Sequence, residues 1–436
     1  MSTVADRGAR NVEFAKRATG AFLAYALSKA SVLVAPLMVA TVLPLSQYGQ
    51  LEYSLSIGQI ASVLLSGGIP GSIPYFQLKR RKTVYAPAFA LHVLLVCTVC
   101  IAVSVVAVTT GHRLGGLPAL TAGIASVQII ASAKFKSAGR LVESSLAESV
   151  LYLLLLVFAV CAYLGVVPRR LDSLVAILGT YLFAVLAFSL ARFPWKTPRT
   201  RVWRVYRRAA LYGMSLIPAS LANVGLVSLG RVLIGVVGAF DQVAVYGVVY
   251  RLSAPIVAMY QFSTSLTFRK LYEGSVREFE RYFVFLSAML VGVSMFMVGF
   301  GPELAHHIIG RNAPDVSGRR DLFVLMAIVM ILWSQLSLME LFLNRERRSI
   351  AQLPGLLAGC AVTLLPLVIT RVWHADPTDA VAMFQGAGIA IAVLWQFSSS
   401  GVPRPSWWFA RAIVLGLLVA LLFSWCLIGI YYGVRT

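Results

Sequence analysis

The chain has 436 residues, 59% of them hydrophobic and 13% charged, where a soluble domain carries about 45–50% and about 25%. At about 20 apolar residues per crossing, a dozen or so helices consume the whole chain, which excludes a soluble catalytic domain and with it most nucleotide-driven and nucleic-acid enzymes. The formal net charge of +21 therefore bears on orientation in a bilayer and not on a nucleic-acid partner.

Apolar runs long enough to cross the hydrocarbon fall near 18–42, 47–76, 84–110, 118–133, 141–165, 173–193, 209–237, 242–268, 282–310, 321–343, 350–370, 378–397 and 407–432. The fourth is short, so this reading of thirteen sits in a range of twelve to fourteen. An N-terminus in the cytoplasm puts most of the 38 basic residues inside: Arg7 to Arg17, the run 79–82, Lys134 to Arg140, the stretch 192–208, then Arg269 to Arg281, Arg345 to Arg348, Arg404 and Arg411. Outside fall only scattered arginines such as Arg113, Arg169, Arg170, Arg319 and Arg320. The alternation follows the positive-inside rule and predicts a multi-pass membrane protein with its N-terminus in the cytoplasm. The first run is too long for a cleaved h-region, and is expected to stay as a span.

The basic stretch RFPWKTPRTRVWRVYRR lies near the middle of the chain. It predicts an N-lobe over 1–193 (six spans), a cytoplasmic interlobe connector over 194–208, a C-lobe over 209–397 (six spans) and an additional C-terminal span in 398–436. Its Trp195 and Trp203 suit a helix lying on anionic lipid better than a nucleic-acid patch. At an offset of about half the chain, SQYGQLEYSLSIG (46–58) lies over DQVAVYGVVYRLS (241–253). Weak internal repeats of this kind accompany alternating access, with a site between the two halves near mid-membrane. The cluster GGIPGSIP (67–74) predicts a broken helix, and Pro36, Pro218 and Pro255 are candidate bends.

Three cations fall inside spans. Lys29 lies roughly 17 Å deep, and Arg231 and Arg251 roughly 10 and 14 Å below the outer surface at 1.5 Å per residue. A cation at the centre of a lipid-facing helix costs about 2.5–3.5 kcal/mol, so these must face protein or water. Arg231 and Arg251 can snorkel outward or pair with Asp241 and Glu52. Otherwise the three point to a wet, positive cavity, whose natural guest is a phosphate-bearing anion. Lys29, Arg231 and Arg251 are thus the candidate substrate-binding residues. Glu148, about 7 residues inside its helix, and Glu52 are the candidates for coupling to a proton or cation. Asp172 and Asp241 stand at helix N-termini, where an acid needs no function. Glu340 lies within reach of Arg345 and Arg347. Cys97 and Cys100 read as plain lipid-buried thiols. His306 and His307, about 100° apart on a helix, read as interfacial, so neither a metal site nor a cofactor is expected.

The stretch AKRATGAFLAYALSKASVLVAPLMVATVLPLSQYGQLEYSLSIGQIASVLLSGGIPGSIPYF (15–76) resembles the start of the polysaccharide-transporter and O-antigen flippase family, within the multidrug, oligosaccharidyl-lipid and polysaccharide exporter superfamily. GMSLIPASLANVGLVSLGRVLIGVVGAFDQVAVYGVVYRL (213–252) resembles the opening of that family's second lobe. The resemblance implies an all-α membrane fold of two pseudo-repeated six-helix bundles around a central cavity. It also implies a non-enzymatic flippase of a bacterial inner membrane for an undecaprenyl-pyrophosphate-linked oligosaccharide, serving surface polysaccharide synthesis beside a polysaccharide polymerase and glycosyltransferases. Two departures stand out. Family members often carry an acid just before the basic residue of the seventh span, where this chain has Gly230. Drug-exporting relatives commonly have an acid in the first span, where this chain has Lys29. The alternatives are a multidrug or cation antiporter of the same architecture and a membrane-embedded polymerase or transferase. The latter wants a large outer loop of converging acid, Arg or His groups.

Overall fold

The computed structural model describes residues 26–28, 30–74, 86–111, 113–193, 195, 198–215, 217–309, 314–346, 348–373, 376–401 and 408–433. They are helical throughout apart from turns and bends, with no strand among them. A first helix, α1, runs over 30–42. It is followed by α2 (Leu45–Leu65), α3 (Ile69–Pro74), α4 (Ala86–Thr109), α5 (Arg113–Ser137), α6 (Leu141–Tyr163), α7 (Leu171–Ala191) and α8 (Arg199–Met214). Then come α9 (Ile217–Val237), α10 (Phe240–Glu273), α11 (Val276–Ile309), the single turn α12 (Pro314–Ser317) and α13 (Arg320–Arg345). The chain closes with a 3₁₀ turn, α14 (Leu353–Thr363), α15 (Pro366–Trp373), α16 (Pro377–Ser399) and α17 (Trp408–Gly433).

Among the described residues ten helical segments are long and apolar enough to cross a membrane, and they coincide with the third to twelfth spans read from the sequence. The second expected span is different in kind. Helix α2 carries Gln47, Gln50, Glu52 and Gln59, and its Tyr48, Leu51, Glu52, Ser54, Leu55 and Ser56 are all buried. Such a helix belongs inside protein and not against lipid, because its polar groups find partners there. The fourth span, short in the sequence, is a full 25-residue helix, α5, that accommodates Pro118 in its first turns.

Two boundaries depart from expectation. The apolar run 209–237 is not one helix: α8 ends at Met214 and α9 begins at Ile217, with Pro218 in its first turn. That position has no intrahelical hydrogen bond to lose, so Pro218 starts a helix and bends none. Residues 209–214 therefore complete the basic amphipathic helix, which buries Val202 and Ala209 and leaves Trp203, Arg207, Arg208 and Leu211 exposed. The eleventh span is likewise divided, at residues 364–365, where Pro366 opens α15.

The break within GGIPGSIP is present. Gly67 and Gly68 take left-handed φ of +57° and +65°, a conformation that costs a residue with a Cβ about 1–2 kcal/mol. Gly68 has a second reason to be glycine: a Cβ there would lie 2.0 Å from the Gly213 carbonyl oxygen of α8. The bare backbones of α3 and α8 thus cross in contact. Around that crossing Ile69, Ile73, Phe89, Ile130 and Ala209 form one apolar core.

The chain forms two compact units, residues 1–39 with 61–217 and residues 40–60 with 218–436. The N-lobe expected over 1–193 included 40–60, but the contacts of that segment are with the second unit. Gly49 lies against the Phe240 carbonyl, Tyr53 packs edge-on to the Phe240 ring at 5.7 Å, and Ser228 donates to Gln59 Oε1 at 3.0 Å. Within the second unit α13 and α16 are, with the span of α10, the most enclosed of the apolar spans. Arg319 ties them together at one end, donating to Asp379 Oδ1 (2.6 Å), Thr378 Oγ1 (2.8 Å) and Asp376 Oδ2 (3.2 Å).

Candidate functional site

Helices α2, α9 and α10 of the second unit bring Glu52, Arg231 and Arg251 to one point. Their side chains are all but inaccessible, at 0%, 1% and 4% exposure. Arg231 Nη1 donates to Glu52 Oε2 at 2.7 Å. Arg251 reaches both carboxylate oxygens, through Nε to Oε1 at 3.2 Å and Nη2 to Oε2 at 3.4 Å. Tyr48, one turn before Glu52 on the same helix face, donates its hydroxyl to Oε1 at 2.9 Å. The Tyr250 ring lies beneath the Arg231 guanidinium at 4.5 Å and near that of Arg251 at 5.8 Å. Cation–π attraction thus adds to the ion pairs, and is strongest where water is excluded.

The expectation of cations without a carboxylate is corrected for two of the three. Arg231 and Arg251 neither snorkel nor pair with Asp241; Glu52 takes both. Lys29 lies outside the described residues. Among the described residues the cluster brings two guanidiniums to one carboxylate. Arg231 Nε is buried with no hydrogen-bond partner among the described residues. Desolvating an ion costs several kcal/mol, so such an arrangement persists only where packing enforces it. Packing does so here: a Cβ on Gly247 would lie 2.8 Å from Glu52 Cγ, so α10 presents bare backbone to the acid.

The departure at Gly230 also has a physical cause. A side chain there would meet Gln385 Oε1 at 2.6 Å and the Tyr246 hydroxyl at 2.8 Å. Those two groups are hydrogen-bonded to each other, and Gln385 Nε2 donates to the Leu226 and Val227 carbonyls. The counter-charge for Arg231 comes instead from α2.

The other candidates are elsewhere. Glu148 belongs to the first unit, where it pairs with Lys136 of α5 and accepts from Ser132 at 2.8 Å. It joins α5 to α6 within that unit. Glu340 is not held by Arg345, which pairs with Glu346 and donates to the Leu271 and Gly274 carbonyls. Glu340 accepts from Asn223 Nδ2 of α9 at 2.7 Å and has no ion pair among the described residues. The histidine pair stands with ring centroids 5.9 Å apart, and no cluster of three metal-ligating side chains occurs among the described residues. Cys97 and Cys100 are free and buried within protein.

No protein-family model matches the sequence, and no curated protein is found as a relative. The structure is similar to that of a multidrug resistance MATE family transporter of the MOP superfamily in an inward-facing conformation. That match has TM-score 0.49 and 15% identity, and covers 86% of this chain and 94% of the other. It is also similar to the eukaryotic MATE transporter AtDTX14, with TM-score 0.36, 11% identity, and coverage of 92% and 100%.

Proposed function

We propose that the chain is a transporter working by alternating access, and that it moves an undecaprenyl-pyrophosphate-linked oligosaccharide from the cytoplasmic to the periplasmic leaflet. The observation that carries this reading is the convergence of two buried guanidiniums, those of Arg231 and Arg251, on the Glu52 carboxylate. A pyrophosphate must cross hydrocarbon with its charge compensated, and arginine grips phosphate oxygens in a bidentate fork. Arg231, with its single short bond to Glu52, is the anchor. Arg251, at 3.2 and 3.4 Å, is held more loosely and is the arm that exchanges Glu52 for substrate phosphate. Lys29 supplies a further positive charge near the bilayer centre. An inside-negative potential, worth about 2.3 kcal/mol per charge per 100 mV, drives an anion outward.

In cells whose surface polysaccharide depends on this gene, Arg251→Ala and Lys29→Ala should each abolish display of the polymer while membrane levels of the protein persist. Arg251→Lys should retain part of it. Normal polymer in both alanine variants removes the anion-carrying role.

A second reading, a cation- or proton-coupled multidrug exchanger, is favoured by Glu340, a carboxyl in a candidate span whose hydrogen-bond partner among the described residues is the neutral amide of Asn223. Such a group is a candidate for ion or proton exchange. On this reading overexpression confers drug resistance, and Glu340→Gln abolishes it. Cells that gain no resistance from the wild-type protein exclude it.

A further inference from the structure

The first unit contains an open groove of about 510 Å³ bordered by α4, α5 and α7, within the range of about 300–1,000 Å³ that bound small molecules occupy. Its walls are apolar, with Phe89 and Val93 from α4, Ile130 from α5, and Val185 and Phe188 from α7. At its rim stand two cations, Lys134 near the end of α5 and Arg192 just past the end of α7. No carboxylate lines the cavity. Among the described residues neither cation has an ion pair: Lys136, two residues on, takes Glu148, and Arg140 takes Glu143. Arg192 is held over the groove by the Phe188 ring, 5.4 Å from its guanidinium carbon, and the Ser189 hydroxyl lies alongside.

An apolar slot closed at one end by cations without counter-charges matches one kind of molecule: an amphiphile with a hydrocarbon chain and an anionic head. The slot is far too small for a long polyprenyl tail. Basic pockets between membrane helices at the positively charged face bind anionic lipid head groups. We infer that this groove is a binding site for an anionic phospholipid of the surrounding membrane, one acyl chain lying along Phe89, Ile130 and Phe188 and the phosphate between Lys134 and Arg192. The site is separate from the Glu52 cluster and stands whichever substrate the protein carries.

Native mass spectrometry of the detergent-purified full chain, titrated with phosphatidylglycerol or phosphatidylcholine, tests this. The wild type should retain phosphatidylglycerol in preference. The variant Lys134→Ala/Arg192→Ala should lose about tenfold of that preference. The control Arg207→Ala/Arg208→Ala, which removes as much charge from the exposed face of α8, should keep it. Ala131→Trp, which fills the slot and leaves both cations in place, should lower retention of the anionic lipid as well. Equal retention of the two lipids by the wild type, equal losses in the two charge variants, or no effect of Ala131→Trp would each overturn the proposal.

Discussion

Removing the carboxylate of Glu52 should be the most damaging single change in the molecule. Glu52→Ala leaves Arg231 and Arg251 buried without the carboxylate that both of them contact. Breaking a buried ion pair from one side costs about 3–5 kcal/mol, and here one truncation breaks two. Thermal unfolding of purified protein should show a large loss, whereas Glu52→Gln, which keeps the volume and an acceptor for Tyr48, should lose less. The triple variant Glu52→Leu/Arg231→Met/Arg251→Met should recover most of the stability, since apolar replacements of a buried charged set are often neutral or better. It should nevertheless fail to support polysaccharide display. A triple variant that is stable and still transports would show the cluster to be purely structural.

The second large effect is expected at the crossing of α3 and α8. Gly68→Ala forces a Cβ into a left-handed residue and against the Gly213 carbonyl, a combined cost of about 2–5 kcal/mol. Gly139→Ala is the matched comparison: its φ is +73°, but nothing lies within 4 Å of the added carbon. It should cost only the backbone term, about 1–2 kcal/mol. The difference between the two in midpoint of thermal unfolding measures the helix contact alone. Equal shifts would mean that α8 is free to move away from α3.

The helices themselves were readable because each obeys a local rule. Length and apolarity placed the third to twelfth spans. The glycine pair before Ile69 located the break after α2. Asp172 and Asp241 marked the first turns of α7 and α10. The start of α9 was missed because Ala209, Ala210 and Leu211 extend an apolar run without interruption, and only their spacing against Arg204, Arg207 and Arg208 distinguishes a surface helix from a span. The site was half legible. Depth in the span singled out Arg231 and Arg251 and put Glu52 at a similar level, but nothing local shows that α2 turns its acid toward α9 and α10. The partners are 179 and 199 residues away, and one residue of rotation on a helix moves a side chain by about 100°. Tyr48 was recoverable from its spacing of four to Glu52. The contact of Glu340 with Asn223 was not, because nearby arginines offered a simpler partner.

The distribution of the second unit along the chain carries a consequence for biogenesis. Its first contribution, residues 40–60, leaves the ribosome long before Arg231 and Arg251 exist. At about 5–20 residues per second, Glu52 is made about 10–40 s ahead of the two guanidiniums that neutralise it. The polar α2 therefore cannot reach its final seat as it is synthesised. The nascent chain must keep that helix in reserve, shielded by insertion machinery or by its early neighbours, until the later helices arrive to claim it. Closure of the cluster for this reason waits until synthesis has passed Arg251, in the second half of the message.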